Sequence, residues 1–204
     1  MSENKDATTE EKIKTAAKTV FYKKGFSATR TRDIAEEAGL NLALLNYYFR
    51  SKAKLFEIIM TETLSGFIGS MKIIFDDEKT SLEQKVAIIA ERYIDFIGTE
   101  PEIPIFILTE VRNNPEGLLK KLPIKEIVLD SVFIKQFQEA VQNKKIAEPN
   151  PLHFIMNLMG LIVFPFIAKP IIMGSRNLEA SQFHDLMQER KKKIPIWINM
   201  MFAV

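Results

Sequence analysis

Residues 29–54 read TRTRDIAEEAGLNLALLNYYFRSKAK, two short helical periods on either side of a single glycine. In the first period Ile34, Ala35 and Ala38 share one face, and in the second Leu45 and Phe49 lie four apart. A brief glycine-containing turn between two small helices is the helix-turn-helix signature. Gly39 permits the sharp reversal, and Ala35 and Ala38 are small enough for close helix contact. Thr31 is expected to cap the first of these helices, Asn41 the second over 42–49, and Ser51 a longer one beginning at Lys52.

The second short helix must turn one face to its core and leave the other free. With Leu45 and Phe49 inward, Leu42, Ala43, Asn46 and Tyr47 fall on the opposite side. Asn can pair bidentately with adenine, and Ala or Leu can contact a thymine methyl in the major groove. Thr31, Tyr47, Tyr48 and Lys52 are candidates for phosphate contacts, and Thr29 belongs to the candidate DNA-binding set. Asn41 joins this candidate DNA-binding set at the start of the second helix.

Across about 45 residues the pattern Gly25-Phe26, Thr29, Thr31, Ile34-Ala35, Ala38-Gly39, Leu45, Tyr47-Tyr48-Phe49, Ser51-Lys52 and Leu55 resembles the TetR family of bacterial transcriptional regulators. Ala43 and Asn46 depart from the residues common there, so no family operator carries over. The resemblance implies a homodimer with two domains per subunit. Residues 1–52 would form a three-helix DNA-binding domain and 53–204 a larger helical domain for ligand binding and dimerisation. It further implies a double-stranded, near-palindromic DNA operator, repression, and release by a small-molecule effector. The dimer seam would come from the two late apolar helices, 150–168 and 178–201.

Working outward, Ile13, Ala16, Ala17, Val20 and Phe21 form one helical stripe. Thr8 and Glu11 have capping-box spacing before it, and Gly25 is expected to stop it. Downstream, Ser81 is expected to cap a long helix, and Thr99 with Glu102 to cap the next. Asn114-Pro115 opens a short helix that Pro123 ends; 125–144 reads as one amphipathic helix. Asn150-Pro151 starts an apolar helix, and the last helix begins near Leu178. Kinks are expected at Pro104, Pro165 and Pro195. No alternating strand-like run stands out. The expectation is an all-α protein of about nine or ten helices.

Composition agrees with a folded chain: 204 residues, 47% hydrophobic and 26% charged. With no cysteine, no disulfide, thiolate metal site or thiol nucleophile is possible. Only His153 and His184 could serve as imidazole ligands, and no metal or cofactor is expected. Net charge is +2, but unevenly spread: residues 1–56 carry eleven Lys+Arg against seven Asp+Glu, the remainder seventeen against nineteen. The cationic surplus lies with the helix-turn-helix. No signal peptide begins the chain, and the greasiest run, 154–168, is short for a membrane span of ~20 residues. A cytoplasmic protein without a membrane partner is expected.

No nucleotide-binding glycine loop, G-x-S-x-G or H-E-x-x-H occurs, so the chain is not expected to be an enzyme. Candidate effector contacts are Arg92, Tyr93, Phe96, Phe106, Glu110, Asn113, His153 and Asn157, polar or aromatic residues on apolar helices. A partly apolar effector would suit them, with Met156, Met159 and Met173 as adaptable neighbours or as ordinary core. The run Arg190-Lys191-Lys192-Lys193 reads as a solvated face. Two alternatives remain: a DNA-bound structural or division-control protein with no inducer, and a helical small-molecule-binding protein.

Overall fold

The computed structural model describes residues 2–113, 115–122 and 125–202. Among them lie eleven α-helices and one π-helical turn, more than the nine or ten expected, and no strand. They are α1 (Ser2–Ala28), α2 (Thr31–Ala38), α3 (Leu42–Tyr48), α4 (Lys52–Phe75), α5 (Leu82–Thr99), α6 (Ile103–Asn113) and α7 (Pro115–Lys121). The π-helical turn Lys125–Leu129, α8 (Val132–Gln142), α9 (Pro151–Ile167), α10 (Lys169–Arg176) and α11 (Ala180–Phe202) follow. The chain divides into two compact units, Met1–Leu64 and Ser65–Val204. The division falls inside α4, twelve residues beyond the 52/53 boundary drawn from the sequence.

In the first unit the stripe Ile13, Ala16, Ala17, Val20 and Phe21 is buried with Ile34, Ala35, Ala38, Leu45, Phe49, Leu55 and Ile59. Phe21 meets Phe56 edge-on at 5.0 Å between centroids. Lys14 of α1 binds Glu62 of α4 at 3.0 Å. Helix α1 starts well before Thr8, because residues 2–7 contain neither glycine nor proline to stop it. Gly25 does interrupt it, at φ 75° and ψ 161°, a conformation only glycine adopts freely.

In the second unit Val86, Ile89, Ala90, Ile94 and Ile97 of α5 are buried, as are Phe154, Leu158 and Ile162 of α9 and Phe183, Met187, Ile194 and Ile198 of α11. Phe154 touches the rings of Phe137 and Phe202, each at 5.0 Å. The capping box at Ser81 is complete: Gln84 N–H donates to Ser81 Oγ at 3.2 Å and Ser81 N–H to Gln84 Oε1 at 2.8 Å. Lys85, a lysine with no exposed surface, ties down the α4–α5 connection. Its ammonium donates to Thr80 O and Oγ1, both at 2.8 Å, and to Asp77 O.

Several boundaries differ from the sequence reading, each for a local reason. Thr99 ends α5 instead of capping α6; its hydroxyl donates to Phe96 O at 3.0 Å. Pro104 causes no kink because it sits in the first turn of α6, where its missing N–H is not needed. The 125–144 segment is two elements. The π-helical turn closes with Asp130 N–H on Lys125 O at 3.2 Å, and Ser131 Oγ then donates to Val128 O. Pro115 opens α7, while Asn114 and Pro123 lie outside the described residues. Helix α10 was not anticipated. It is bent 62° from α9 at Ala168, between Pro165 and Pro170.

Pro165 leaves the Leu161 carbonyl without its helical donor. Arg190 Nη2 of α11 supplies one at 2.7 Å. Arg190 also sits 5.1 Å from the Trp197 ring centroid, and Lys191 pairs with Asp95. Half of the basic run read as a solvated face is therefore built into the helix packing; Lys192 and Lys193 remain exposed. Helix α4 is long and apolar enough to cross a membrane by length and composition. Its apolar stripe, Leu55, Ile59, Met60, Leu64, Ile68, Met71 and Phe75, is buried in the protein.

Candidate nucleic-acid interface and cavity

The α2–α3 reversal is fixed by backbone chemistry. Gly39 is left-handed, φ 63° and ψ 35°; its N–H donates to Glu36 O at 3.0 Å, and Leu40 N–H reaches Ala35 O at 2.9 Å. Both bonds use carbonyls that the end of α2 would leave orphaned. Asn41 Oδ1 then accepts the Leu44 N–H at 2.7 Å and starts α3. Thr31 is not the cap of α2. Arg30 holds that position, and its N–H donates to the Asp33 carboxylate at 2.9 Å. Lys24 lies 3.2 Å from the same carboxylate, and with the Arg30 N–H holds it below the usual aspartate range.

On α3, Leu45 is buried while Ala43, Asn46 and Tyr47 are exposed and Leu42 is half-buried. Tyr47 is 80% exposed, an unusual position for an aromatic ring unless something covers it. Its ring meets that of half-buried Tyr48 edge-on at 5.3 Å. Thr31, at the first position of α2, is half-buried.

Two of the candidate DNA-binding residues turn inward. Thr29 is only 2% exposed, and its hydroxyl donates to Gly25 O at 2.8 Å. Lys52 donates to Phe26 O and Thr29 O, each at 2.8 Å, with its ammonium 4.4 Å from the Phe26 ring centroid. Both side chains hold the 25–29 segment around the Gly25 break. Exposed cations outside the candidate set stand nearby in the chain: Arg30 and Arg32 at the start of α2, and Arg50 after α3. The local cationic surplus was the signal for them.

The second unit holds a cavity of about 350 Å³ walled by α4, α5, the π-helical turn, α8 and α9. Its lining is Ile68, Phe75, Ile89, Tyr93, Val128, Leu129, Phe133, Leu152, Ile155, Leu158 and Met159. Tyr93 alone among these carries a polar side-chain atom. Its ring stands edge-on to Phe67 at 4.6 Å, and its hydroxyl makes no hydrogen bond to the described residues. Burial pushes the phenol up to about 12, so it stays protonated.

Of the candidate effector contacts, Tyr93 and the neighbouring Met159 line this cavity. Arg92, Asn113, His153 and Asn157 are exposed instead, on the outer faces of their helices. Phe106 is buried core, Phe96 stacks on Phe67 at 3.9 Å, and half-buried Glu110 does not reach the lining. A second hollow, about 530 Å³, is bordered by Asp95, Lys169 and His184 besides apolar groups. No group of three or more His, Asp or Glu suited to a metal ion occurs among the described residues.

Residues 13–59 match the family described as bacterial regulatory proteins, tetR family. The protein named "Probable HTH-type transcriptional regulator YttP" of Bacillus subtilis is 24% identical over 201 residues, covering 96% of this chain and 94% of that protein. The HTH-type transcriptional repressor KstR2 of Mycolicibacterium smegmatis is 27% identical over 130 residues, covering 57% of this chain and 63% of its own. Among solved structures, a TetR-family transcriptional regulator from Mesorhizobium loti superposes with a TM-score of 0.62 at 19% identity, over 98% of both chains.

Proposed function

We propose, from the match of residues 13–59 to the tetR family of bacterial regulatory proteins and the similarity to YttP along nearly the whole chain, that this chain acts as a homodimeric repressor whose grip on DNA is released by a small-molecule effector. The observation that carries the DNA-binding reading is the outward face of α3. Ala43, Asn46 and Tyr47 are exposed beside a turn whose geometry is fixed by Gly39 and Asn41. Asn46 would read adenine, Ala43 and Leu42 thymine methyls, and Tyr47, Tyr48 and Thr31 the backbone. Arg30, Arg32 and Arg50 would supply the electrostatic part of the affinity, which weakens as salt rises.

A second copy of the chain would cover the late helices. Met156 and Phe164 lie eight apart on α9, and Ile196 and Met200 four apart on α11; all four are exposed. Such stripes on two adjoining helices suit a self-complementary two-fold contact. A two-fold dimer would place the recognition helices on half-sites one helical turn apart, ~34–36 Å, or a multiple of it. An effector that binds better to a state with different half-site spacing lowers DNA affinity by linkage. A DNA target would place the protein in the bacterial cytoplasm.

Selection from a random-sequence DNA pool with the purified protein tests this reading. The expected product is a near-palindrome with half-sites at that spacing. Recovery of no enriched sequence overturns specific repression and leaves the helical binding-protein reading. Light scattering of the free protein checks the dimer, which Phe164→Glu is expected to dissociate.

A further inference from the structure

We infer that the cavity walled by α4, α5, α8 and α9 takes a neutral, largely apolar effector with one carbonyl or hydroxyl oxygen, held by the Tyr93 phenol. The inference rests on the effector-responsive reading above only for its regulatory consequence; the chemistry of the cavity stands on its walls.

No lining side chain carries a charge. A carboxylate or ammonium drawn inside would lose its hydration with nothing to replace it, a cost far above what apolar contact returns. A purely hydrocarbon guest would waste the one polar group present. Tyr93 is that group, and its hydroxyl makes no hydrogen bond to the described residues. It can donate to a carbonyl, or donate to and accept from a hydroxyl. Fixing one polar atom of an otherwise apolar guest orients it, the usual division of labour in ligand pockets.

The cavity also has an approach that suits such a guest. Leu129, on the π-helical turn, and Leu152, in the first turn of α9, line it and are exposed. Short π-helical segments are uncommon and recur at functional sites. The rim is thus apolar and partly built on irregular backbone. Charged guests are better matched by the other hollow, where Asp95, Lys169 and His184 stand. The wall residues Ile68 and Phe75 belong to α4, the helix that begins at Lys52. Occupancy therefore acts on a helix that also supplies the first unit.

The test uses the full chain and 6-propionyl-2-dimethylaminonaphthalene, a neutral naphthyl ketone whose emission shifts to shorter wavelength in apolar surroundings. Saturable, blue-shifted binding is expected. 1-Decanol should displace the dye, and decanoate near neutral pH should do so at least about tenfold less well. Tyr93→Phe should weaken dye binding about 2- to 12-fold, the loss of one hydrogen bond, while leaving naphthalene binding unchanged. Met159→Trp, which fills the cavity, should abolish dye binding; Ile155→Phe is the milder substitute if that variant does not fold.

Decanoate competing as well as decanol would overturn the neutral-guest inference. Unchanged dye affinity in Tyr93→Phe would remove the polar anchor. Dye binding that survives in a folded cavity-filling variant would move the site elsewhere. The dye titration uses no DNA, so its failure is separable from failure of the repressor reading. An operator without dye binding overturns only the cavity inference, and dye binding without an operator overturns only the repressor.

Discussion

Helix α3 and the α4/α5/α8/α9 cavity carry their chemistry in opposite ways. On α3 the groups that would act project outward, and buried Leu45 lies on the other side of the same short helix. In the cavity the groups that would act are the core itself: Phe133 and Leu158 are almost wholly buried and also form its wall. A convex site lets stability and recognition be assigned to different residues. A concave apolar site makes one residue do both. The consequence is that single substitutions should separate the two properties in the first unit and fail to separate them in the second.

The largest effects test that division directly. Leu45→Ala and Leu158→Ala each remove a buried side chain and should lower unfolding free energy by about 2–5 kcal/mol, read by denaturant titration. Leu158→Ala should in addition change the affinity for an apolar probe, because it enlarges the cavity. An unaltered probe affinity would break the comparison. Next in size, Asn46→Ala should cost about 1–3 kcal/mol of specific DNA affinity, measured on the selected operator, and Tyr47→Ala should weaken binding about equally on operator and unrelated DNA. Both residues are exposed, so stability should stay within about 0.5 kcal/mol of the parent. A comparable loss of stability would show that the α3 surface is not free after all.

The same contrast explains what could be read from the sequence. The caps at Asn41, Ser51, Ser81 and Asn150 and the turn at Gly39 follow from residues at most a few positions apart, and the structure contains each of them. The outward face of α3 follows from the helical period alone. The inward bonds of Lys52 and Thr29 are not legible in the sequence, because their partners, Phe26 O and Gly25 O, depend on how the chain folds back at Gly25. The cavity was harder still. Its lining is indistinguishable by composition from ordinary core, and the polar residues on apolar helices are the one clue the sequence offers. Most of those, such as His153 and Asn157, face outward. Arg190 shows the same difficulty: only the fold brings it to the carbonyl that Pro165 leaves unpaired.

A smaller effect concerns the turn between α2 and α3. Gly39→Ala should cost about 1–2 kcal/mol, the penalty of a left-handed residue with a side chain. The cost is purely of backbone origin, since the nearest atom to an added Cβ is Lys12 Nζ at 4.0 Å. Gly39→Asn should recover part of it, because asparagine tolerates this conformation. Equal losses in the two variants would instead indicate a steric clash.

The smallest effect concerns the start of α2. Asp33 accepts the Arg30 N–H and faces Lys24, so its carboxyl titrates below the usual 3.8 when folded. A depressed folded value means that the ionised carboxylate stabilises the native state. That contribution is complete above the ordinary aspartate range and is lost as pH falls through the lower, folded value. Asp33→Asn keeps an oxygen that can accept the same N–H but removes the charge. The variant should therefore be slightly less stable than the parent at neutral pH, and the gap should close on acidification below 3.8. Unfolding midpoints of the two proteins, followed together down the pH scale, read this directly. A gap that persists in acid would mean that the shape of the side chain, not its charge, sets the start of α2, and with it the angle at which α3 is presented.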